Sequence, residues 1–302
     1  MSVFTPLSSE QLQALLEPLG FQLRTVAPAH HGIENTNYLL QVRDTDGQTR
    51  GLVLTVLEEI SVGGLPWFTS LLSALARAGL PVPAPVCEPL SVADKPALLV
   101  PLLPGRHLSQ PGVRHCQQVG QVLAHLHATT LSPGPDAQDA TGIERLAEAL
   151  PLLPAGWQPA ARDVLDQWRE CQLPDTLIHG DLFRDNVLFE GERLSGLLDF
   201  YAAGRGPALY DLAVAINDWC VLDDQPEPIL ETALLDAYEE QAPLPASQRE
   251  QLPLTLCVAA LRFWLSRLVA EQRHLEQQLP DSVGRKDPAE FQRRFQARLA
   301  AL

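Results

Sequence analysis

The segment His179-Gly180-Asp181-Leu182-Phe183-Arg184-Asp185-Asn186, with Leu198-Asp199-Phe200-Tyr201 shortly beyond it, carries more chemical information than any other part of the chain. Asp181, Asn186 and Asp199 stand at relative positions 0, 5 and 18. One carboxylate that can face an acceptor hydroxyl, plus an asparagine and a second aspartate able to hold magnesium, is what phosphoryl transfer requires of a protein. That reaction needs positioning and charge neutralisation. Side-chain oxygens suit the hard Mg2+ ion. The competing reading, two unrelated acidic turns, conflicts with the apolar runs around them. Leu177-Ile178 leads into the segment, and Val187–Phe189 and Leu194–Leu198 read as a pair of short strands.

Each residue of the block has an expected role. Asp181 is placed to accept the hydrogen bond of an acceptor hydroxyl and take its proton. Arg184 lies between Asp181 and Asn186, where it either neutralises a phosphate oxygen or substrate carboxylate, or forms a surface pair with Asp185. Asn186 and Asp199 are the expected metal ligands. His179 is expected to pack under the loop and pin its backbone. Asp211, near the start of a predicted helix, is expected to bond backbone amides or the loop itself.

The totals narrow the function classes. The chain has 302 residues, 46% of them apolar, which suits two lobes better than one core. No run of eighteen uncharged apolar residues occurs, and Met1–Pro6 lacks a basic region before an apolar stretch, so neither a membrane span nor a secretory leader is expected. Five scattered cysteines without a CxxC pair suggest neither zinc nor a disulfide framework, and fit a cytoplasmic protein. The net charge of −15, with no basic cluster, argues against nucleic acid or anionic membrane as partners. Only Lys95 and Lys286 are lysines.

Along the chain, residues 8–19 read as an amphipathic helix with Ser8 as N-cap. Strands follow at 21–27, 36–42 and 52–57, with Asp44–Gly47 as a hairpin turn. A helix at 66–79, the rigid Leu80–Pro85 connection and strands near 87–90 and 97–102 complete a strand-rich region. Beyond Pro104-Gly105, helices are expected at 112–130, 142–150, 158–172, 207–222, 229–240, 247–279 and 287–301, with strands only around 187–198. This predicts an α+β bilobal protein: residues 1–103 as a small β-sheet lobe that binds nucleotide, and residues 104–302 as a larger helical lobe with the catalytic and acceptor groups. A nucleotide is expected in the cleft between them.

The block resembles the aminoglycoside phosphotransferase/choline kinase superfamily of protein-kinase-like folds, and more narrowly its bacterial homoserine kinase branch. The resemblance rests on His31–Tyr38, Val53–Val56, Gly79–Pro83, His179–Phe189, Leu198–Tyr201, Tyr210–Ala213, Asn217–Cys220 and Arg262–Leu268, which span most of the chain in order. It implies ATP and Mg2+ as cofactors, L-homoserine as the small-molecule acceptor in a step of threonine synthesis, and a monomer or homodimer. Choline, ethanolamine, an aminoglycoside or a thio-sugar are alternative acceptors, and a nucleotide-binding regulator without catalysis is the alternative class.

The resemblance also distributes the remaining sites. Nucleotide contacts are implied for Gly32, Glu34, Asn35 and Asn37, for Val53 and Thr55, for the hinge Pro101, Leu102 and Leu103, and for Leu188. Typical kinases place a lysine on the third strand, paired with a helix glutamate. Here Thr55 stands where that lysine would be, and the helix after it has no acidic residue. Lys95, in a later turn, is not expected to substitute. For an amino-acid acceptor, Arg262 or Arg267 is the implied partner of the carboxylate and Asp218 of the ammonium, with Asn217 or Tyr201 as neutral hydrogen-bonding groups.

Overall fold

A computed structural model describes residues 4–29, 35–58, 64–129, 140–277 and 286–302. Its described residues divide into two compact units, one ending at Pro104 and the other beginning at Gly105.

The first unit contains α1 (Ser9–Leu16), β1 (Gln22–Pro28), β2 (Thr36–Arg43), β3 (Thr49–Val56), α2 (Leu65–Arg77), β4 (Leu90–Val92) and β5 (Lys95–Pro101). Ser8 and Gln11 form a reciprocal capping box at the start of α1. The five strands make one antiparallel sheet in the order β1-β2-β3-β5-β4. Asp44 turns the β2–β3 hairpin by accepting the amides of Asp46 and Gln48, and Gly47 supplies the positive φ of 79°.

Strand alternation gives the sheet two faces. Leu40, Val42, Leu52, Leu54, Val56, Ala97 and Leu99 bury against Leu12 and Leu16 of α1. The other face carries Asn37, Val53, Thr55, Leu98 and Val100, since Asn37 pairs with Thr55, Thr55 with Leu98 and Val53 with Val100. Lys95 shares the parity of Ala97 and so lies on the α1 face. There its ammonium pairs with the Glu58 carboxylate and donates to Thr5 Oγ1 at 3.0 Å, while Thr36 Oγ1 donates to Glu58 at 2.7 Å. A lysine–glutamate pair therefore does exist in this unit, built from other residues and turned away from the face that bears Thr55.

The second unit contains α3 (Val113–Ala128), α4 (Ile143–Ala147), α5 (Gln158–Glu170), β6 (Asp175–Ile178), β7 (Val187–Glu190), β8 (Arg193–Leu197), β9 (Gly204–Pro207), α6 (Ala208–Trp219), β10 (Val221–Leu222), β11 (Gln225–Pro226), α7 (Pro228–Glu239), α8 (Ala246–Arg249), α9 (Leu252–Gln277) and α10 (Pro288–Leu299). Two departures from expectation stand out. Strands β6 and β9 pair antiparallel where none was predicted, because four-residue strands, one of them Gly-Arg-Gly-Pro, leave no period to read. The helix expected over 247–279 is two helices: Pro253 has no N–H to continue the first and stands in the opening turn of the second.

Helix α6 is buried on every side from Leu209 to Trp219, which is the behaviour of a core helix. It packs against α9, which also contacts α5 and α10. Within α9, Leu252–Glu276 is long and apolar enough by length and composition to cross a membrane, but 67% of its most apolar window is buried inside the packed protein. Gly120 lets α3 lie against α7; a Cβ there would sit 2.1 Å from Leu234 O.

Candidate active site

Strand β6 delivers the chain to His179, and the loop beyond it is shaped by short-range hydrogen bonds. Phe183 N donates to Asp181 O at 2.8 Å and Asn186 N to Phe183 O at 2.9 Å, closing a 3-10 turn over Arg184–Asn186. Gly180 has φ +76°, and a Cβ there would meet Ala202 O at 2.9 Å, so only glycine fits. The amide of Asn186 donates to Asp181 O at 2.7 Å and to Asp181 Oδ2 at 3.3 Å. That fixes its nitrogen and turns its oxygen, Oδ1, to the other side.

Asp199 arrives beside these two by sheet pairing. Val187 pairs with Leu197, and Leu198 N donates to Asn186 O at 2.8 Å, extending the β7–β8 ladder by one step. Asp199 is the next residue, and it holds left-handed backbone angles, φ 63° and ψ 55°. For a residue with a Cβ this costs about 1–2 kcal/mol. Strain of this kind persists where surrounding structure imposes it.

His179 joins the two halves. Its ring accepts the Asp181 N–H at Nδ1 (3.3 Å) and meets Leu198 O at Nε2 (2.9 Å). A carbonyl can only accept, so the proton lies on Nε2. The ring is fully buried against Phe200 at 4.4 Å between centroids. Burial lowers its pKa below the ordinary 6.5, against the charge of Asp211.

Asp211, on the first turn of α6 and 0% exposed, holds the loop from below. Its carboxylate accepts His179 N and Gly180 N, both at 2.8 Å, and His127 Nε2 at 3.1 Å. Burial opposes its charge, but the hydrogen bond and charge of His127, followed by the charge of His179 and its backbone amide, hold its pKa below the usual value. We predict that Asp211→Asn, which turns an amide N–H towards at least one of these three donating N–H groups, costs roughly 2–4 kcal/mol of stability. Urea unfolding measures this, and a loss below 1 kcal/mol would contradict the role drawn here.

These shifts set a pH dependence. Both folded-state pKa values are lowered, so the unfolded chain binds more protons as the solution is acidified. Stability is expected to be level above pH about 6.5, then to fall below it as unfolded His179 protonates, by up to about 1.4 kcal/mol per pH unit for this group. Asp211 extends the loss towards lower pH. Unfolding midpoints of His179→Gln between pH 7 and 5 should fall less steeply than those of the parent chain; equal slopes would refute the assignment.

The residues expected around the acceptor are only partly brought together. Asp218 accepts the backbone N–H of Arg184 at 2.7 Å and its Nε at 3.2 Å, while Arg184 Nη1 donates to Ser109 O at 2.9 Å. Arg184 is thus clamped to α6 and not paired with Asp185, whose carboxylate lies 3.3 Å from Lys286. Asp218, expected to meet an ammonium, also holds the loop through Arg184. Asn217 is 0% exposed, gives Nδ2 to Leu256 O and accepts Arg298 Nε, both at 2.9 Å, so it ties helices together within the core.

Arg267 is paired with Glu290 at 2.6 Å and stacks on Phe291. Arg262 lies over Phe263, with its guanidinium carbon 4.1 Å from the ring centroid. Tyr201 follows Asp199 in a short 3-10 turn and is half-buried. Trp219 is buried and donates to Leu182 O at 3.0 Å.

Two buried arginines, Arg294 and Arg298, were not anticipated. They occupy the inward stripe of α10 with Phe291 and Phe295, at positions i, i+3, i+4 and i+7. Cations inside an apolar stripe were the available signal.

Among the residues expected to contact nucleotide, Thr55 Oγ1 donates to Asn37 Oδ1 at 2.6 Å, and Val53 shares their face of the sheet. Asn35 Oδ1 accepts Glu58 N at 3.1 Å. Gly32 and Glu34 lie outside the described residues. Leu102 N is taken by Gly51 O at 3.0 Å and prolines 101 and 104 have no N–H, so Leu103 keeps the remaining backbone donor of that stretch. Leu188 is buried in β7.

An antiparallel sheet unit, a helical unit, and a loop that ties an aspartate to an asparagine beside a second, left-handed aspartate define a phosphotransferase of protein-kinase-like fold. Residues 25–249 match the model of the phosphotransferase enzyme family, and the chain belongs to that family. It is 42% identical to a homoserine kinase of Pseudomonas aeruginosa (strain LESB58), over 99% of this chain and 96% of that protein. It is 39% identical to the homoserine kinase of Methylobacillus flagellatus, over 100% and 96% respectively. Among solved structures, the amicoumacin kinase hAmiN, in complex with AMP-PNP, Ca2+ and Ami, superposes with a TM-score of 0.71 at 14% identity, covering 97% of this chain and 94% of that one. The likeness shows the shared fold.

Proposed function

We propose that this chain is an ATP-dependent kinase that phosphorylates the side-chain hydroxyl of L-homoserine to O-phospho-L-homoserine. The observation that supports this acceptor above others is the 42% identity to a homoserine kinase sustained over 99% of the chain. Asp181 serves as general base, receiving the hydroxyl proton as the oxygen attacks the terminal phosphorus. Asn186 and Asp199 are the ligands of Mg2+. The donor set fits that ion: one amide oxygen, directed by the hydrogen bonds of its own nitrogen, and one carboxylate, both hard ligands. When bound, Mg2+ neutralises charge on the phosphates being transferred.

The rest of the work falls to the chain itself. His179 and Asp211 hold the loop backbone so that Asp181 and Asn186 keep their mutual geometry. Residues 1–103 are assigned to nucleotide binding, through Asn35, Asn37, Val53 and Thr55 and the backbone at Leu103. Five free cysteines fit a reducing cytoplasm. The test is coupled ADP release with MgATP and, in turn, L-homoserine, choline, ethanolamine and kanamycin. Turnover is expected with L-homoserine. If that acceptor gives only the background rate while another is phosphorylated, the acceptor assignment is lost; if none is phosphorylated, the catalytic reading goes with it.

A further inference from the structure

We infer that Arg294 is the specificity-determining residue of this site, receiving the carboxylate of the acceptor amino acid through guanidinium N–H groups that no acceptor among the described residues satisfies. The inference rests on the proposed reaction and adds Arg294 to the expected Arg262, whose buried Nε also has no hydrogen-bond partner among the described residues, while Arg267 is paired with Glu290. The Arg294 side chain is 3% exposed. Its Nη2 is held by Glu290, but its buried Nε and Nη1 have no hydrogen-bond partner among the described residues. Arg298, on the same stripe, instead donates to Asn217 and pairs with Glu231 at 2.7 Å.

The charge around Arg294 is unbalanced. Arg184, Arg267 and Arg294 meet Asp218 and Glu290, three cations against two anions. Each carboxylate is already shared: Asp218 between Arg184 and Arg294, with Arg294 Nη1 at 3.9 Å and too distant for a hydrogen bond, and Glu290 between Arg267 and Arg294. One further carboxylate would equalise the charges and accept from one of the waiting donors, Nη1 or Nε, which lie on different edges of the guanidinium plane.

The position suits an acceptor. Asp218 links Arg294 to Arg184, and Arg184 lies within the Asp181–Asn186 loop with its side chain 24% exposed. An amino acid whose hydroxyl faces Asp181 can therefore place its carboxylate in the same cluster. The alternative anion, a nucleotide phosphate, is separated from it by experiment.

The decisive measurement is the ratio of kcat/KM for L-homoserine to kcat/KM for 3-aminopropan-1-ol, which keeps the amine and hydroxyl and lacks the carboxylate. In Arg294→Met this ratio should fall roughly 10²-fold, chiefly through KM for homoserine, with KM for ATP unchanged. Arg294→Lys, which keeps the charge but not the planar donors, should lower the ratio about tenfold and covers the case in which the methionine variant does not fold. An unchanged ratio, with both acceptors impaired together, would mean that Arg294 only supports the helix packing. A rise in KM for ATP at constant ratio would assign its donors to phosphate. Either result overturns the inference. Absence of homoserine turnover in the parent chain is a separate outcome that strikes the acceptor assignment itself.

Discussion

Asp181→Asn is expected to lower kcat by roughly 10²–10⁴-fold, the range general-base assistance contributes, while the affinity for MgATP stays within a small factor of the parent value. The substitution removes the proton-accepting carboxylate of Asp181 but preserves its shape. Asn186 keeps its bond to the Asp181 carbonyl, and the backbone bonds from Phe183 N and to His179 Nδ1 do not involve the altered atoms. Folding should therefore be intact, which urea unfolding can verify. Single-turnover kinetics with saturating nucleotide separate the chemical step from binding. A variant that turns over within threefold of the parent chain would remove Asp181 from the mechanism.

The second large effect concerns Asp199. Asp199→Gly is expected to abolish magnesium-dependent turnover, by at least roughly 10²–10³-fold, and yet leave unfolding stability unchanged or raised by up to about 1 kcal/mol. Glycine adopts the left-handed angles without the cost an aspartate bears there, a relief of about 1–2 kcal/mol partly offset by the greater freedom of glycine in the unfolded chain. Asp199→Ala keeps the Cβ and the strain and should be less stable than the glycine variant. Opposite signs for stability and activity would mark a residue held in a costly conformation for the sake of its carboxylate. Titration of Mg2+ at fixed ATP measures the first effect and thermal unfolding the second. If Asp199→Gly is strongly destabilised but catalytically competent, its role is structural and the assignment of metal ligands fails.

Much of this arrangement was legible before any coordinates. The strand-rich first third, the hairpin at Asp44–Gly47 and the long helices follow from periodicity and turn chemistry, forces that act over a few residues. The pairing of β6 with β9 was not, because Gly204–Pro207 has neither alternation nor strand propensity and forms only because Asp175–Ile178 lies beside it. The same distinction holds inside the site. Thr55 at the lysine position could be read directly, whereas the partnership of Lys95 with Glu58 depends on which face of the sheet each side chain takes. Asp218 was expected to face an ammonium because its acidity is visible in sequence; that it also meets Arg184 is a fact of packing.

What the sequence determined alone is the order and spacing of the loop's polar side chains. Asp181 and Asn186 are five residues apart, and the bond between them closes a local turn that this spacing permits. What only the tertiary structure decided is which charges are available to a ligand. Arg184 meets Asp218 across 34 positions and Arg298 meets Asn217 across 81, and Arg294 is left with donors unmet among the described residues because α10 buries it where both nearby carboxylates are already shared. Spacing along a chain fixes short-range hydrogen bonds. The satisfaction of a buried charge depends on how distant helices share the same small volume, and no local pattern encodes that.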